Sequence, residues 1–205
     1  DIPNVKTIRW NSDSSETTSP TSTKENYYID RSDFNIYKLL IQRPAVVKHA
    51  LENYSKVVAY VDSDSVATQY CDRIFEMYDP KLDYPYFAEG IYEYLHINGR
   101  GGAESRDDLS TTLEHPACEL FGANQYVRQK YRQTGYFVAS DNCIEFLDEW
   151  FWMCNHPKVL KDFKLYAPYH EETLANVLLW KYNHLDGLPY IYTNGDCQTI
   201  NKIFK

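Results

Sequence analysis

Lys56-Val57-Val58-Ala59-Tyr60-Val61, followed at once by Asp62-Ser63-Asp64-Ser65, is the stretch on which the fold turns. A short, nearly unbroken apolar run rich in β-branched side chains has the length of a strand rather than of a buried helix. Without polar alternation it reads as covered on both faces, as strands are in parallel sheets beneath helices. The run stops at two carboxylates around a serine, and residues 65–78 read as a helix. The unit is strand, acidic turn, helix.

Toward the carboxyl end, residues 86–95 look like a strand, and residues 97–118, with Gly99, Gly101 and Gly102, like a long loop. Gly135–Ala139 reads as a second buried strand. Ser140 or Asp141 then caps a helix that runs to about Met153. A further helix spans about His170 to Tyr182, and Pro189–Thr193 forms a last short strand. Toward the amino end, Phe34, Tyr37, Leu40 and Ile41 recur at helical spacing. Pro44 ends or kinks that helix, and the stripe resumes through Val46, Val47, Ala50, Leu51 and Tyr54. Residues 11–25 are a polar loop and residues 2–10 a candidate strand. Alternating strands and helices predict an α/β fold: a single-domain α/β/α sandwich over residues 1–205 with a mostly parallel, Rossmann-like mixed sheet. Ligands of such sheets bind beyond the carboxyl ends of the strands, where Asp62 and Asp64 fall.

The formal charge of −8 excludes several partners. Neutralising the phosphates of a nucleic acid takes clustered Lys and Arg, and anionic membranes repel an acidic surface. No apolar run approaches the ~20 residues that span a bilayer. Cys71, Cys118, Cys143, Cys154 and Cys197 are odd in number, widely spaced and free of any Cys-x-x-Cys pair, so neither a zinc site nor a disulfide framework is expected. They read as small buried hydrophobes in a reducing compartment, which favours the cytoplasm. Residue 1 is Asp and no signal-like segment follows it, so the chain reads as a processed product or an excised domain.

Asp62 and Asp64 stand at i and i+2 and share one face of the strand end. Two neighbouring carboxylates repel each other and resist desolvation. A divalent cation relieves both, and Mg2+ or Mn2+ takes one or two carboxylates together with substrate phosphates. The same pair serves equally well as turn and N-cap residues. A second acidic feature opens the late helix, His170-Glu171-Glu172-Thr173-Leu174-Ala175-Asn176, where carboxylates in a first turn also simply complement the helix dipole.

In their order these segments resemble the GT-A class of metal-dependent, Asp-x-Asp glycosyltransferases. Val58-Ala59-Tyr60-Val61-Asp62-Ser63-Asp64 is similar to the strand and motif that define the class. Arg43-Pro44 stands where the class has a basic residue on an upstream helix. Thr134-Gly135-Tyr136-Phe137-Val138 is similar to its later Gly-led strand. Glu171-Glu172-Thr173-Leu174-Ala175-Asn176 is similar to its acidic pair followed by Asn, with Glu where Asp is usual. The resemblance spans about residues 32–192, and with one candidate strand ahead of the motif the amino-terminal nucleotide-binding part is expected to be abbreviated. A late His often completes the metal shell of the class; His184, the last histidine here, has no motif around it.

The resemblance implies transfer of a sugar from a UDP- or GDP-type nucleotide-sugar to a hydroxyl of a glycan, protein or lipid acceptor. It implies Mn2+ or Mg2+ on Asp62 and Asp64. Donor contacts would come from Arg43, Lys38, Asp62, Ser63, Gly135 and Asn176. Glu171 or Glu172 would orient the acceptor or take its proton, with the 97–118 loop on the acceptor side. Two other readings stand beside it. Asp62-Ser63-Asp64-Ser65-Val66 also resembles the motif of haloacid-dehalogenase-like phosphatases, with Asp62 as nucleophile and Asp64 as acid/base. The other is a non-catalytic sugar-binding module.

Overall fold

The computed structural model describes residues 33–62, 65–67, 73–89, 116–123, 132–167, 169–184, 186–187 and 197–199. Helix α1 (Phe34–Leu40) starts at Asp33, whose carboxylate accepts the Asn35 amide at 2.7 Å and so satisfies a donor that the first turn leaves open. After a turn at Ile41 and Gln42 the chain enters α2 (Arg43–Asn53) with Pro44 in its first turn. A proline costs nothing there, because that N–H has no partner within the helix. Pro44 thus separates two helices, and in doing so fixes where Arg43 leaves the backbone.

Strand β1 (Val57–Val61) follows, then a short β2 (Ser65–Ala67) and helix α3 (Arg73–Met77). The helix expected over 65–78 is therefore confined, among the described residues, to its second half. Its first residues pair antiparallel with β5 (Cys197–Thr199), a ladder formed across the chain that no local pattern announces. Strand β3 (Tyr86–Glu89) occupies the start of the expected 86–95 strand. Helix α4 (Pro116–Phe121) takes up the end of the segment expected to be loop and stops at Gly122, whose φ of 70° suits a residue without Cβ. Strand β4 (Arg132–Ser140) leads through a single turn at Asp141–Cys143 into α5 (Ile144–Cys154). Then come α6 (Pro157–Lys161), α7 (Phe163–Tyr166) and α8 (His170–Tyr182). The candidate strands at 2–10 and 189–193 and the polar loop at 11–25 lie outside the described residues.

The larger sheet has the order β1-β4-β3, and both of its pairings are antiparallel. Val57 pairs with Ser140 and Val61 with Tyr136. Beyond Phe87 the β3–β4 register jumps, so that Ala88 faces Gln133. β1 and β3 thus run in the same direction on either side of an opposed β4. The expectation that β1 is covered on both faces is not met: Val57–Tyr60 are half-buried and Val61 is exposed, because β1 borders only β4 among the described strands. The doubly covered strand is β4, buried from Tyr136 to Ser140.

β4 divides its side chains by the period of two that a pleated strand imposes. Phe137 and Ala139 join the larger core, which holds α2, α5 and α8, while Tyr136 and Val138 join a smaller one with Ile74 of α3 and Tyr78. Helix α5 offers Phe146, Leu147, Trp150, Met153 and Cys154, the spacing of one apolar stripe. Trp150 meets Phe87 edge-on at 5.5 Å and Phe137 at 6.1 Å. Each such fully buried aromatic contributes about 1.5–3 kcal/mol. Helix α8 is buried on nearly all sides from Thr173 to Trp180, which makes it the central rod of the larger core. Cys118, Cys143 and Cys154 are free and buried, as small core residues. No described helix is long and apolar enough to cross a membrane.

Candidate functional site

Asp62 leaves the end of β1 tied to β4 by its amide, which donates to the Gly135 carbonyl at 2.8 Å. Its carboxylate is gripped on one oxygen. Oδ1 accepts from Arg43 Nη2 at 2.8 Å and from the Tyr60 hydroxyl at 3.1 Å. Tyr60 can reach because residues i and i+2 of a strand share a face. Its ring also lies 4.7 Å from the Arg43 guanidinium carbon, a cation–π contact. The other oxygen, Oδ2, is turned to Gly135, where an added Cβ would lie 2.5 Å from it. Only glycine leaves that carboxylate its room.

Arg43 continues the cluster inward. Its Nη1 donates to the Thr134 hydroxyl and forms an ion pair with Glu171 Oε1. The Thr134 hydroxyl donates to the same carboxylate oxygen at 3.2 Å. Burial opposes the charge of Arg43, but Glu171 and Asp62 together outweigh it and push the pKa up. Glu171 gains less, because it shares its cation. Burial pushes its carboxyl up to about 7; Arg43 resists this, while Glu172 and Asp62 add to it.

The start of α8 is set by a left-handed residue. His170 has a φ of 54° although it is not glycine, a conformation that costs on the order of 1–3 kcal/mol and persists where packing enforces it. Here its ring stacks on Phe163 and leans on Tyr37. Trp150 Nε1 donates to the Glu171 carbonyl at 2.8 Å, locking the next residue to the core. Glu172, half-buried, accepts the Thr134 amide on Oε2 at 3.2 Å.

Of the residues singled out in the sequence, Arg43, Asp62, Gly135, Glu171 and Glu172 meet in this cluster. Asn176 stands apart from it. The Asn176 side chain is fully buried and pairs with the backbone of Arg132 in both directions, at 2.7 Å each, while its second N–H goes to the Glu172 carbonyl. One amide donor and the side-chain carbonyl stitch α8 to β4, and the other donor stays within α8. Lys38 is exposed on α1 with its ammonium 4.9 Å from the Phe34 ring. His184 stacks on Tyr84 at 4.1 Å and faces Asp83 at 3.8 Å. Ser63 and Asp64 lie outside the described residues, as do Asp107 and Asp108. Sequence reasoning missed Tyr60 and Thr134. The alternation of β1 points to the first; the second needs a contact across 91 residues.

Among the described residues no group of three or more His, Cys, Asp or Glu side chains is arranged to hold a metal. Asp62 alone among them has the chemistry of the expected site. It is a hard oxygen donor, its side chain is 35 % exposed, Oδ1 accepts from Arg43 and Tyr60, and Oδ2 lies against Gly135, in the space a Cβ would need. A Mg2+ or Mn2+ ion fits such a donor. No family model matches the chain, and neither a curated protein nor a solved structure matches it significantly.

Proposed function

We propose that this chain is a metal-dependent glycosyltransferase of the GT-A type, moving a sugar from a UDP- or GDP-type donor to an acceptor hydroxyl. The observation that carries this reading is the meeting of separated segments around Asp62. Arg43 from α2, Tyr60 and Asp62 from β1, Thr134 and Gly135 from β4, and Glu171 and Glu172 from α8 form one connected cluster. A pattern of four motifs that was merely accidental has no reason to converge in space.

In this reading Asp62 and Asp64 hold Mn2+ or Mg2+, which when bound neutralises the charge of the leaving nucleoside diphosphate. Asp62 presents its second oxygen in a fixed direction. Gly135 lacks a Cβ and so leaves room for the Asp62 carboxylate to lie against the β4 backbone. Glu172, held by one oxygen to the Thr134 amide and only half-buried, orients the acceptor hydroxyl or takes its proton. Glu171 is sealed beneath it and does not reach the acceptor.

The test is calorimetric binding of UDP and GDP with and without Mn2+. Wild-type protein should bind at least one of them in a Mn2+-dependent way. Asp64→Ala should weaken that binding by more than about tenfold, since it removes a ligand and not merely a group behind one. Equal binding by the variant removes Asp64 from the site and with it the basis of the reading.

A further inference from the structure

Arg43 reads, from sequence, as a donor contact, but its guanidinium is turned inward: both terminal nitrogens are engaged and Nε, which has no partner, is itself buried. Its side chain is 8 % exposed. Nη1 is engaged by Thr134 and Glu171, Nη2 by Asp62, and the ring of Tyr60 lies against the guanidinium carbon. The planar fork of an arginine holds two acceptors at a set angle, which a flexible ammonium does not do. Asp62 receives from it the hydrogen bond that, with that of Tyr60, fixes Oδ1 and thereby the direction of Oδ2. Glu171 is joined to this assembly only from behind: its Oε1 takes Arg43 and Thr134, and its backbone is fastened by Trp150.

From these contacts we infer that Arg43 is a positioning residue for Asp62, and that buried Glu171 anchors Arg43 and so helps to hold the Asp62 carboxylate in place, beside the repulsion the two carboxylates exert on each other directly. The consequence for binding rests on the glycosyltransferase reading, but the mechanical link does not. A plain structural ion pair stabilises the fold without controlling the carboxylate; a positioning pair controls it. The distinction lies in what a change at Glu171 does to a side chain it does not touch.

Two measurements separate the cases. The first is the carbon-13 resonance of the Asp62 carboxyl in metal-free protein at fixed pH. It should move in Arg43→Lys and also in Glu171→Asp, which keeps the negative charge at this position but shortens its reach to Arg43. The second is a cycle of Mn2+ titrations in the presence of UDP or GDP. Arg43→Gln should lower Mn2+ affinity about 10-fold, at the low end of the ~10–100-fold that losing a group behind a metal ligand costs. In an Asp62→Asn background the same change should cause no further loss. If Arg43→Gln does not fold, Arg43→Lys carries the same cycle.

An Asp62 resonance that stays put in Glu171→Asp and Arg43→Lys overturns the inference. So does an equal loss of affinity in the Asp62→Asn background, because Arg43 would then act on the ligand directly. Should wild-type protein bind neither metal nor nucleotide, the glycosyltransferase reading falls, and the resonance alone still decides the positioning claim: movement upholds it, stillness ends it.

Discussion

Asp62 and Glu171 sit on the same guanidinium, yet one side chain is 35 % exposed and the other 4 %. Their backbones differ as much. Asp62 follows a half-buried strand that borders only β4 among the described strands, and is held to β4 by its amide, while Glu171 lies in the first turn of the deeply buried α8 and is clamped by Trp150. The contrast teaches what a shared cation is for. The carboxylate without access to water can serve only as an anchor, and the one with access lies where something outside can reach it. Burying an ion pair seldom adds net stability, since desolvation takes back most of the attraction. A buried pair that ends in an exposed acid makes more sense as a way of aiming that acid.

Removing the shared cation breaks the comparison most severely. Arg43→Met leaves Glu171 buried without its counter-charge, and should cost about 3–5 kcal/mol at pH 8. The cost should shrink toward pH 5. Burial pushes the carboxyl of Glu171 from an ordinary 4.5 up to about 7, so the native state favours its protonated form more than the unfolded chain does. The stability it contributes is complete below about 4.5 and is lost as pH rises through about 7. Without Arg43 the folded value climbs further, which steepens that loss for the variant. Urea unfolding at pH 5, 6.5 and 8 measures it, and a deficit that does not change with pH would contradict the account.

The exposed side of the comparison is sharpened at Gly135. An alanine Cβ there would arrive 2.5 Å from Asp62 Oδ2. The carboxylate cannot swing freely away, because Oδ1 is held by Arg43 and Tyr60. Gly135→Ala should therefore cost about 1–3 kcal/mol, the range for forcing an extra carbon into a packed site. Mn2+-dependent nucleotide binding should weaken along with it. A variant that is as stable as wild type and binds equally well would mean that Asp62 is not fixed in the way described.

How much of this was legible in the sequence depends on the range of the contact. Helix α8 and strand β4 follow from local patterning, and Asp62 falls at the end of a strand because an apolar run stops there. The direction of β4 relative to its neighbours does not follow, since alternation looks the same in parallel and antiparallel strands. The pairing of β2 with β5 is hidden by range, because its two halves lie far apart in the chain. At the site, the residue types were visible but their roles were not. Asn176 looks like a ligand contact until its amide is seen to match the backbone of Arg132. Glu171 and Glu172 are adjacent and chemically alike; only the face of α8 on which each lies separates an anchor from a candidate base.

The smallest effect is expected at Lys38, which the sequence sets beside Arg43 as a second basic donor contact. The two residues are close in the chain and carry the same charge, but α1 turns Lys38 outward and the start of α2 turns Arg43 inward. The contact of Lys38 with the Phe34 ring is an exposed cation–π pair, a class worth about 0.5–1 kcal/mol at most. Lys38→Ala should thus shift thermal or urea stability by no more than about 0.5 kcal/mol, as surface changes usually do, and should leave UDP or GDP affinity within the error of the titration. Charge alone, were it what the site needs, would make the two substitutions comparable. Unequal outcomes would locate the requirement in the geometry around Asp62, whereas a Lys38→Ala variant that loses nucleotide binding would extend the donor site to α1 and take from Arg43 its special standing.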